Sequence, residues 1–135
     1  MSAVFFKKGE KKNISKHFTT IEFQCKCSYP ECIDQMVEQE LLNRLEKIRE
    51  EVKLPIKITS GYRCTPYQKH LRDTKASTVV AKKSQHELGA ACDAACSMPY
   101  DDYLKVCEKY FTAIGLGKTF LHLDLRGPQK IRWNY

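Results

Sequence analysis

Two stretches of this chain bring together side chains of metal-ligand type. The first, Ser84-Gln85-His86-Glu87-Leu88-Gly89-Ala90-Ala91-Cys92-Asp93, sets an imidazole and a carboxylate seven positions apart, with Gly89 between them where backbone could pass close to a bound group. The second, Thr119-Phe120-Leu121-His122-Leu123-Asp124-Leu125-Arg126-Gly127, carries another histidine in a run that reads as a buried strand. Histidine and aspartate are both zinc ligands, and the set His86, Asp93 and His122 leaves the fourth position of a tetrahedral zinc open to water. An open position belongs to a catalytic site rather than to a closed structural one.

Alternate side chains of a strand share a face, so His122 and Asp124 are expected to point one way while Leu121, Leu123 and Leu125 point into the core. The Asp124 carboxylate then lies roughly 7 Å along the strand from its neighbouring ligand. From there it could take a proton from water as a general base, or orient the His122 ring from behind. Arg63, in Ser60-Gly61-Tyr62-Arg63, falls where a short strand ends and a helix begins. A guanidinium there could clamp a substrate carboxylate or a developing oxyanion; a surface salt bridge is its plainer use.

The elements that must position these groups are legible in outline. Residues 1–16, with Lys7, Lys8, Lys11, Lys12 and Lys16, read as a polar, partly ordered arm. Thr19 and Glu22 have capping-box spacing and predict a short helical turn that turns Phe18 and Phe23 inward, with His17 as a surface or capping residue. Over residues 34–53, Val37, Leu41, Leu45, Ile48 and Val52 recur at helical steps and predict an amphipathic helix covering one face of a sheet. Ile56 to Thr59 alternates as a strand, Thr65-Pro66 opens a helix through Gln68 and Leu71, and residues 73–83 read as a loop that shapes specificity. A further helix starts from Ser97, Pro99, Asp101 and Asp102, and Gly115 and Gly117 end it before the His122 strand. A turn at Gly127-Pro128 leads to a short basic-aromatic tail around Trp133.

The chain has 135 residues, enough for one domain, residues 17–135, and a real core; a single-domain monomer is expected. Its formal charge of +7 favours anionic partners, but the lysines gather at the amino terminus and no basic stripe interleaved with aromatics follows. A nucleic-acid partner is therefore not expected. Ala3-Val4-Phe5-Phe6 is too short for a signal-peptide core and is followed by Lys7 and Lys8, so neither a secretory signal nor a membrane span is expected, and the seven cysteines are read as thiols of a cytoplasmic product. Cys25, Cys27 and Cys32 lie within eight residues of one another, with Cys64 or another cysteine as a fourth partner. The spacing leaves open a disulfide or thiol cluster, a second structural metal site, or no special role; Cys92, Cys96 and Cys107 carry no spacing signal.

Ser60-Gly61-Tyr62-Arg63, the pattern S-x-H-x-x-G-x-A-x-D over residues 84–93, and Phe120-Leu121-His122-Leu123-Asp124, in this order, resemble the zinc D-alanyl-D-alanine peptidases. Relatives of that family include vancomycin-resistance dipeptidases, phage endolysins and the amino-terminal domain of hedgehog proteins. The resemblance spans residues 15–133. It implies an α+β fold with a small antiparallel sheet carrying the metal site and helices on the other face. It also implies Zn2+ on His86, Asp93 and His122, with Arg63 holding the substrate carbonyl or tetrahedral intermediate and Ser84 and Gln68 lining the site. The implied substrates are D-amino-acid-containing stem peptides of peptidoglycan, cut as by a carboxypeptidase or an endolysin-type endopeptidase, at the cell wall after release or as part of a virion. Where several family members carry an acid three residues before the last histidine, this chain has Thr119, so Asp124 is expected to be the base, with Glu87 as the alternative. Hedgehog-type relatives add a second expectation, a zinc-stabilised binding module without turnover.

Overall fold

The computed structural model describes residues 2–74 and 84–135. Along them run β1 (Ala3–Lys7), α1 (Thr20–Phe23), β2 (Asp34–Glu38), α2 (Gln39–Val52), β3 (Ile56–Ser60), α3 (Thr65–Thr74), a 3-10 turn (Gln85–Leu88), β4 (Ala91–Cys96), α4 (Tyr100–Cys107), β5 (Ala113–Leu116), β6 (Leu121–Asp124) and β7 (Ile131–Asn134). Five strands form the central sheet in the order β3-β4-β6-β5-β7, and β1 pairs with β2 in a separate ribbon. The expected α+β fold is present. Its central sheet is antiparallel through β3, β4, β6 and β5, and the last pair, β5 with β7, is parallel.

One face of that sheet builds the core. Ile58, Cys92, Ala94, Leu121, Leu123 and Ile114 are buried there together with Leu41, Leu42, Leu45 and Ile48 of α2 and Tyr103 and Cys107 of α4. Each fully buried Leu or Ile contributes about 1.5–3 kcal/mol relative to an exposed one, so this layer is the main source of stability. The Tyr103 hydroxyl donates to the Ala94 carbonyl at 3.1 Å, which satisfies its polar end inside the layer.

Helical periodicity over 34–53 overran the true start of the helix. Residues 34–38 form β2, because Gln35 and Val37 alternate inward against β1, and Val37 happens to lie four positions before Leu41. Of the loop expected over 73–83, Asp73 and Thr74 belong to α3, and residues 75–83 lie outside those described. Gly115 does not end a helix: it sits inside β5, after a turn that follows α4. The tail around Trp133 is a strand of the sheet.

Residues 1–16 are not a free polar arm. Residues 3–7 pair along their whole length with β2, and Phe6 inserts into the core while Phe5 faces out. The following stretch is pinned by an isolated bridge between Asn13 and Thr19 and by the carboxylate of Glu46 on α2. Glu46 accepts from the Ser15 hydroxyl at 2.5 Å and the His17 backbone N–H at 2.7 Å, and faces His17 Nδ1 at 2.6 Å. His17 thus lies on the surface, away from the candidate ligands, and the Thr19–Glu22 capping box closes α1 as its spacing indicated.

Burial alone would raise the Glu46 pKa, but the Ser15 and His17 donors outweigh it and hold the carboxyl below its ordinary 4.5. A carboxylate depressed on folding stabilises above the unfolded pKa and loses that contribution as pH falls through the folded value. Glu46→Gln is expected to lower stability by about 1–3 kcal/mol at neutral pH, with the gap to the parent closing as pH falls below 4.5. Urea-unfolding midpoints across that range check it, and a gap independent of pH would refute the charge-assisted clamp.

Candidate metal centre

The pairing register places Ser60, Asp93, His122, Gly115 and Trp133 in one row across the sheet, on the face opposite the helical layer. His86 arrives from outside the sheet on the 3-10 turn. That turn is capped by Ser84, whose Oγ accepts the His86 N–H at 3.1 Å, and it closes on Gly89 at φ +67°. A Cβ on Gly89 would fall 2.8 Å from the Met36 carbonyl oxygen. This glycine therefore lets the turn pack on β2; the expected close approach to a bound group is not its role.

Three donor atoms converge. His122 Nδ1 lies 3.1 Å and His86 Nε2 3.4 Å from the same oxygen, Asp93 Oδ1, and the two rings stand 5.0 Å apart edge to face. The remaining ring nitrogens are already engaged. His86 Nδ1 is 2.7 Å from the Gly61 carbonyl, which can only accept, so Nδ1 carries the hydrogen and Nε2 presents its lone pair. His122 Nε2 is 2.7 Å from Asp124 Oδ2, which fixes the opposite tautomer and leaves Nδ1 for the shared position. Two neutral imidazole nitrogens and one carboxylate oxygen, buried and each oriented by a hydrogen bond from behind, fit a zinc-type ion.

The electrostatics follow from this packing. Burial pushes His86 toward its neutral form despite the neighbouring Asp93. Burial by itself would raise the Asp93 pKa, but His122 and His86 outweigh it and hold the carboxyl well below the usual range. His122 is disfavoured as a cation by burial, yet Asp124 and Asp93 together raise its pKa. A metal taking Nδ1 therefore competes with a proton held by two carboxylates.

Asp124 is not placed to be the general base. It is fully buried behind His122, with Oδ2 on the far ring nitrogen, and Arg126 donates to its carboxylate through Nη2 at 2.7 Å and Nε at 3.0 Å. Sharing a strand face with His122 put it beside the ring, and the ring's own orientation then put it on the side away from Asp93. Glu87, the alternative, is half-buried on the 3-10 turn next to His86.

Arg63 joins the centre. Its Nη2 is 3.3 Å from Asp93 Oδ2, its Nη1 3.2 Å from Gln68 Oε1 and its Nε 3.1 Å from Ser60 Oγ. Gln68 is buried and accepts from the guanidinium, while Ser84 accepts from the backbone N–H of His86. The tail supplies what the sequence left unassigned. Tyr135 stacks on His122 with centroids 4.9 Å apart, and its hydroxyl lies 3.3 Å from Arg63 Nη2 and 3.4 Å from His86 Nε2. Trp133 packs on His122 at 5.3 Å and beneath the Arg126 guanidinium at 4.6 Å. Gly115 admits it: a Cβ there would lie 2.9 Å from the indole and 3.0 Å from His122 Cβ. The basic-aromatic composition of the tail was its one sequence signal; the parallel pairing that folds it over His122 had none.

An α+β sheet that presents two histidines and an aspartate in a buried, pre-oriented set, with an arginine alongside, defines the class of metal-dependent hydrolases. A family model described as Peptidase M15 matches residues 16–124, a span holding Arg63, His86, Asp93, His122 and Asp124, and the chain belongs to this metal-dependent peptidase family. Nothing among curated proteins or solved structures matches it. Trp133 and Tyr135 lie beyond the matched residues.

Asp124→Ala removes the acceptor that fixes the His122 tautomer. We expect metal affinity to fall about 10–100-fold with the fold retained, measured by competition with a chromophoric chelator. Unchanged affinity would show that Asp124 does not orient the ligand.

Proposed function

We propose that the chain is a zinc peptidase acting on D-amino-acid-containing stem peptides of bacterial peptidoglycan, as a D-Ala-D-Ala carboxypeptidase or an endolysin-type endopeptidase. The observation that carries this is the convergence of His86 Nε2, Asp93 Oδ1 and His122 Nδ1 beside Arg63, in a chain of the M15 family. His86, Asp93 and His122 would hold the zinc, which when bound supplies Lewis-acid polarisation of the scissile carbonyl and activation of water.

The chain's own groups do the rest. Arg63 is held by Ser60 and Gln68 and aims its Nη2 at the edge of the centre, where it can donate to the carbonyl oxygen as charge develops. The Tyr135 hydroxyl meets the same edge. Burial raises its pKa, with Asp93 adding to the effect, to about 12, so it stays protonated at neutral pH and serves as a second donor. The stacked Tyr135 ring and Trp133 cover the His122 imidazole. The formal charge of +7 suits an anionic wall polymer, and among the described residues no helix is long and apolar enough to cross a membrane. In this proposal the protein works at the cell wall, after release from the cell or as part of a virion.

One observation favours a second function, a zinc-stabilised binding module of the same fold: position 119 is threonine and Asp124 is held behind His122, so neither expected position offers a free carboxylate base. Purified wall peptides incubated with zinc-loaded and chelated protein, followed by mass spectrometry, separate the two. The peptidase releases D-Ala, or a stem fragment cut at one bond, only when zinc-loaded; intact peptides despite bound zinc leave the binding module.

For an active enzyme, Tyr135→Phe is expected to lower kcat by about 10-fold and Arg63→Ala to lower kcat/KM by about 100–1,000-fold. Zinc content measured on the same samples separates lost donors from lost metal. Full activity in Tyr135→Phe would remove that hydroxyl from the mechanism.

A further inference from the structure

Away from the His/Asp centre, Cys25, Cys27, Cys32 and Cys64 form a small cluster of their own, walled by Tyr29, Tyr62 and Tyr67 and separate from the main core. Their sulfurs come from two segments: the irregular connection 24–33 between α1 and β2, and the residue just before α3. The four sulfurs lie within 4.8 Å of one another. Cys25 Sγ is 3.7 Å and Cys27 Sγ 3.8 Å from Cys64 Sγ. A disulfide requires about 2.05 Å, whereas sulfurs bound to one zinc at about 2.3 Å in a tetrahedron stand about 3.8 Å apart. None of the four is in a disulfide.

Burial holds the Cys25 and Cys64 thiols above their ordinary pKa, while at Cys27 hydrogen bonds, those of the Tyr29 N–H and Lys8 among them, outweigh burial and lower it to about 7. Every sulfur receives an N–H donor: Cys25 from the Cys64 amide at 3.4 Å, Cys27 from Lys8 Nζ at 3.3 Å, Cys32 from Gln35 Nε2 at 3.4 Å, and Cys64 from the Tyr67 amide in the first turn of α3. Donors aimed at sulfur stabilise the anion that a metal needs, and second-layer hydrogen bonds of this kind orient ligands. The connection also needs a staple. Its internal backbone bonds are few, Cys32 N–H to the Tyr29 carbonyl and Ile33 N–H to Glu31, yet it keeps Cys25 and Cys32 buried. Cys27, the least buried of the four, borders a cleft of about 300 Å³ with Lys26, Tyr67 and His70, which gives an ion a way in.

We propose that Cys25, Cys27, Cys32 and Cys64 form a closed structural zinc site, a second metal centre that clamps the 24–33 connection to the start of α3 next to Arg63. On binding, each of the four thiols gives its proton to solvent and no redox change occurs; the resulting excess of negative charge faces Lys8. A closed set of four thiolates has no open position, so this zinc has no part in turnover. Because Cys64 adjoins Arg63, whose backbone N–H bonds to the His86 carbonyl at 3.2 Å, the clamp sets where that arginine enters the His/Asp centre. The inference stands apart from the proposed peptidase activity.

The test uses the whole chain, purified under reducing conditions. Elemental analysis of the parent is expected to give two zinc per chain. Cobalt-exchanged protein should show intense thiolate-to-cobalt charge-transfer absorption that persists in His122→Ala, which loses one metal equivalent, and disappears in Cys27→Ser, which loses the other. Circular dichroism and the retained His/Asp-bound metal verify that Cys27→Ser is folded. One metal per chain, all of it lost in His122→Ala, would overturn the site, as would parent protein whose cobalt form lacks thiolate bands or whose mass shows a disulfide deficit among these cysteines. The last three measurements need no cysteine variant.

Discussion

A buried carboxylate organises this molecule. Asp93 lies in the second strand of the central sheet with little exposure, and an isolated anion there would be expelled or protonated. The Arg63 guanidinium approaches its Oδ2, and its Oδ1 faces the two imidazole nitrogens that a metal cation would join to it. Each partner arrives from a different part of the chain: His122 from the adjacent strand, His86 from a turn outside the sheet, Arg63 from the entry to a helix. The fold can be viewed as the means of delivering these groups to one oxygen pair, and a metal cation would complete the charge balance that the arginine meets in part.

Around that carboxylate the polar groups divide into those that present an atom to the shared position and those that hold the presenters. Gly61 and Asp124 fix opposite tautomers of the two histidines, so that one offers Nε2 and the other Nδ1. Ser84 fixes the backbone of His86, Gln68 and Ser60 fix Arg63, and Arg126 keeps Asp124 ionised behind His122. Burial raises the Asp124 pKa, and the His122 and Arg126 contacts overcome it; such a carboxylate is a poor proton acceptor. On the other side of the centre Arg63 and Tyr135 meet.

The first half of the chain is held by polar clamps as much as by apolar packing. Residues 8–19 contain no helix or strand beyond one isolated bridge, and the Glu46 carboxylate ties them to α2 through Ser15 and His17. The cysteine cluster does the same for residues 24–33 against α3. Both clamps lie where the chain is irregular, because backbone without ladder partners cannot place itself and needs side-chain cross-links to fix it. The consequence reaches the centre, since Cys64 and Arg63 are neighbours and share whatever fixes the start of α3.

The local spacing of residue types by itself determined the candidate ligands, the amphipathic α2, the alternation that buries Leu121 and Leu123 while turning His122 the other way, and the capping box at Thr19. These depend on periods of 3.6 and 2 and on side-chain chemistry, which travel with the sequence. Tertiary structure alone decided that Asp124 lies behind the His122 ring, because that placement depends on which ring nitrogen faces Asp93. It also decided that residues 3–7 are a strand, since pairing needs β2, a partner thirty residues away whose helical spacing hid it. The cover supplied by Trp133 and Tyr135 comes from a parallel pairing of β7 with β5, made sterically acceptable by Gly115. The meeting of Cys64 with Cys25, Cys27 and Cys32 was open in the sequence for the same reason: sulfurs that are distant in the chain have no spacing rule until the fold brings them within bonding range of one ion.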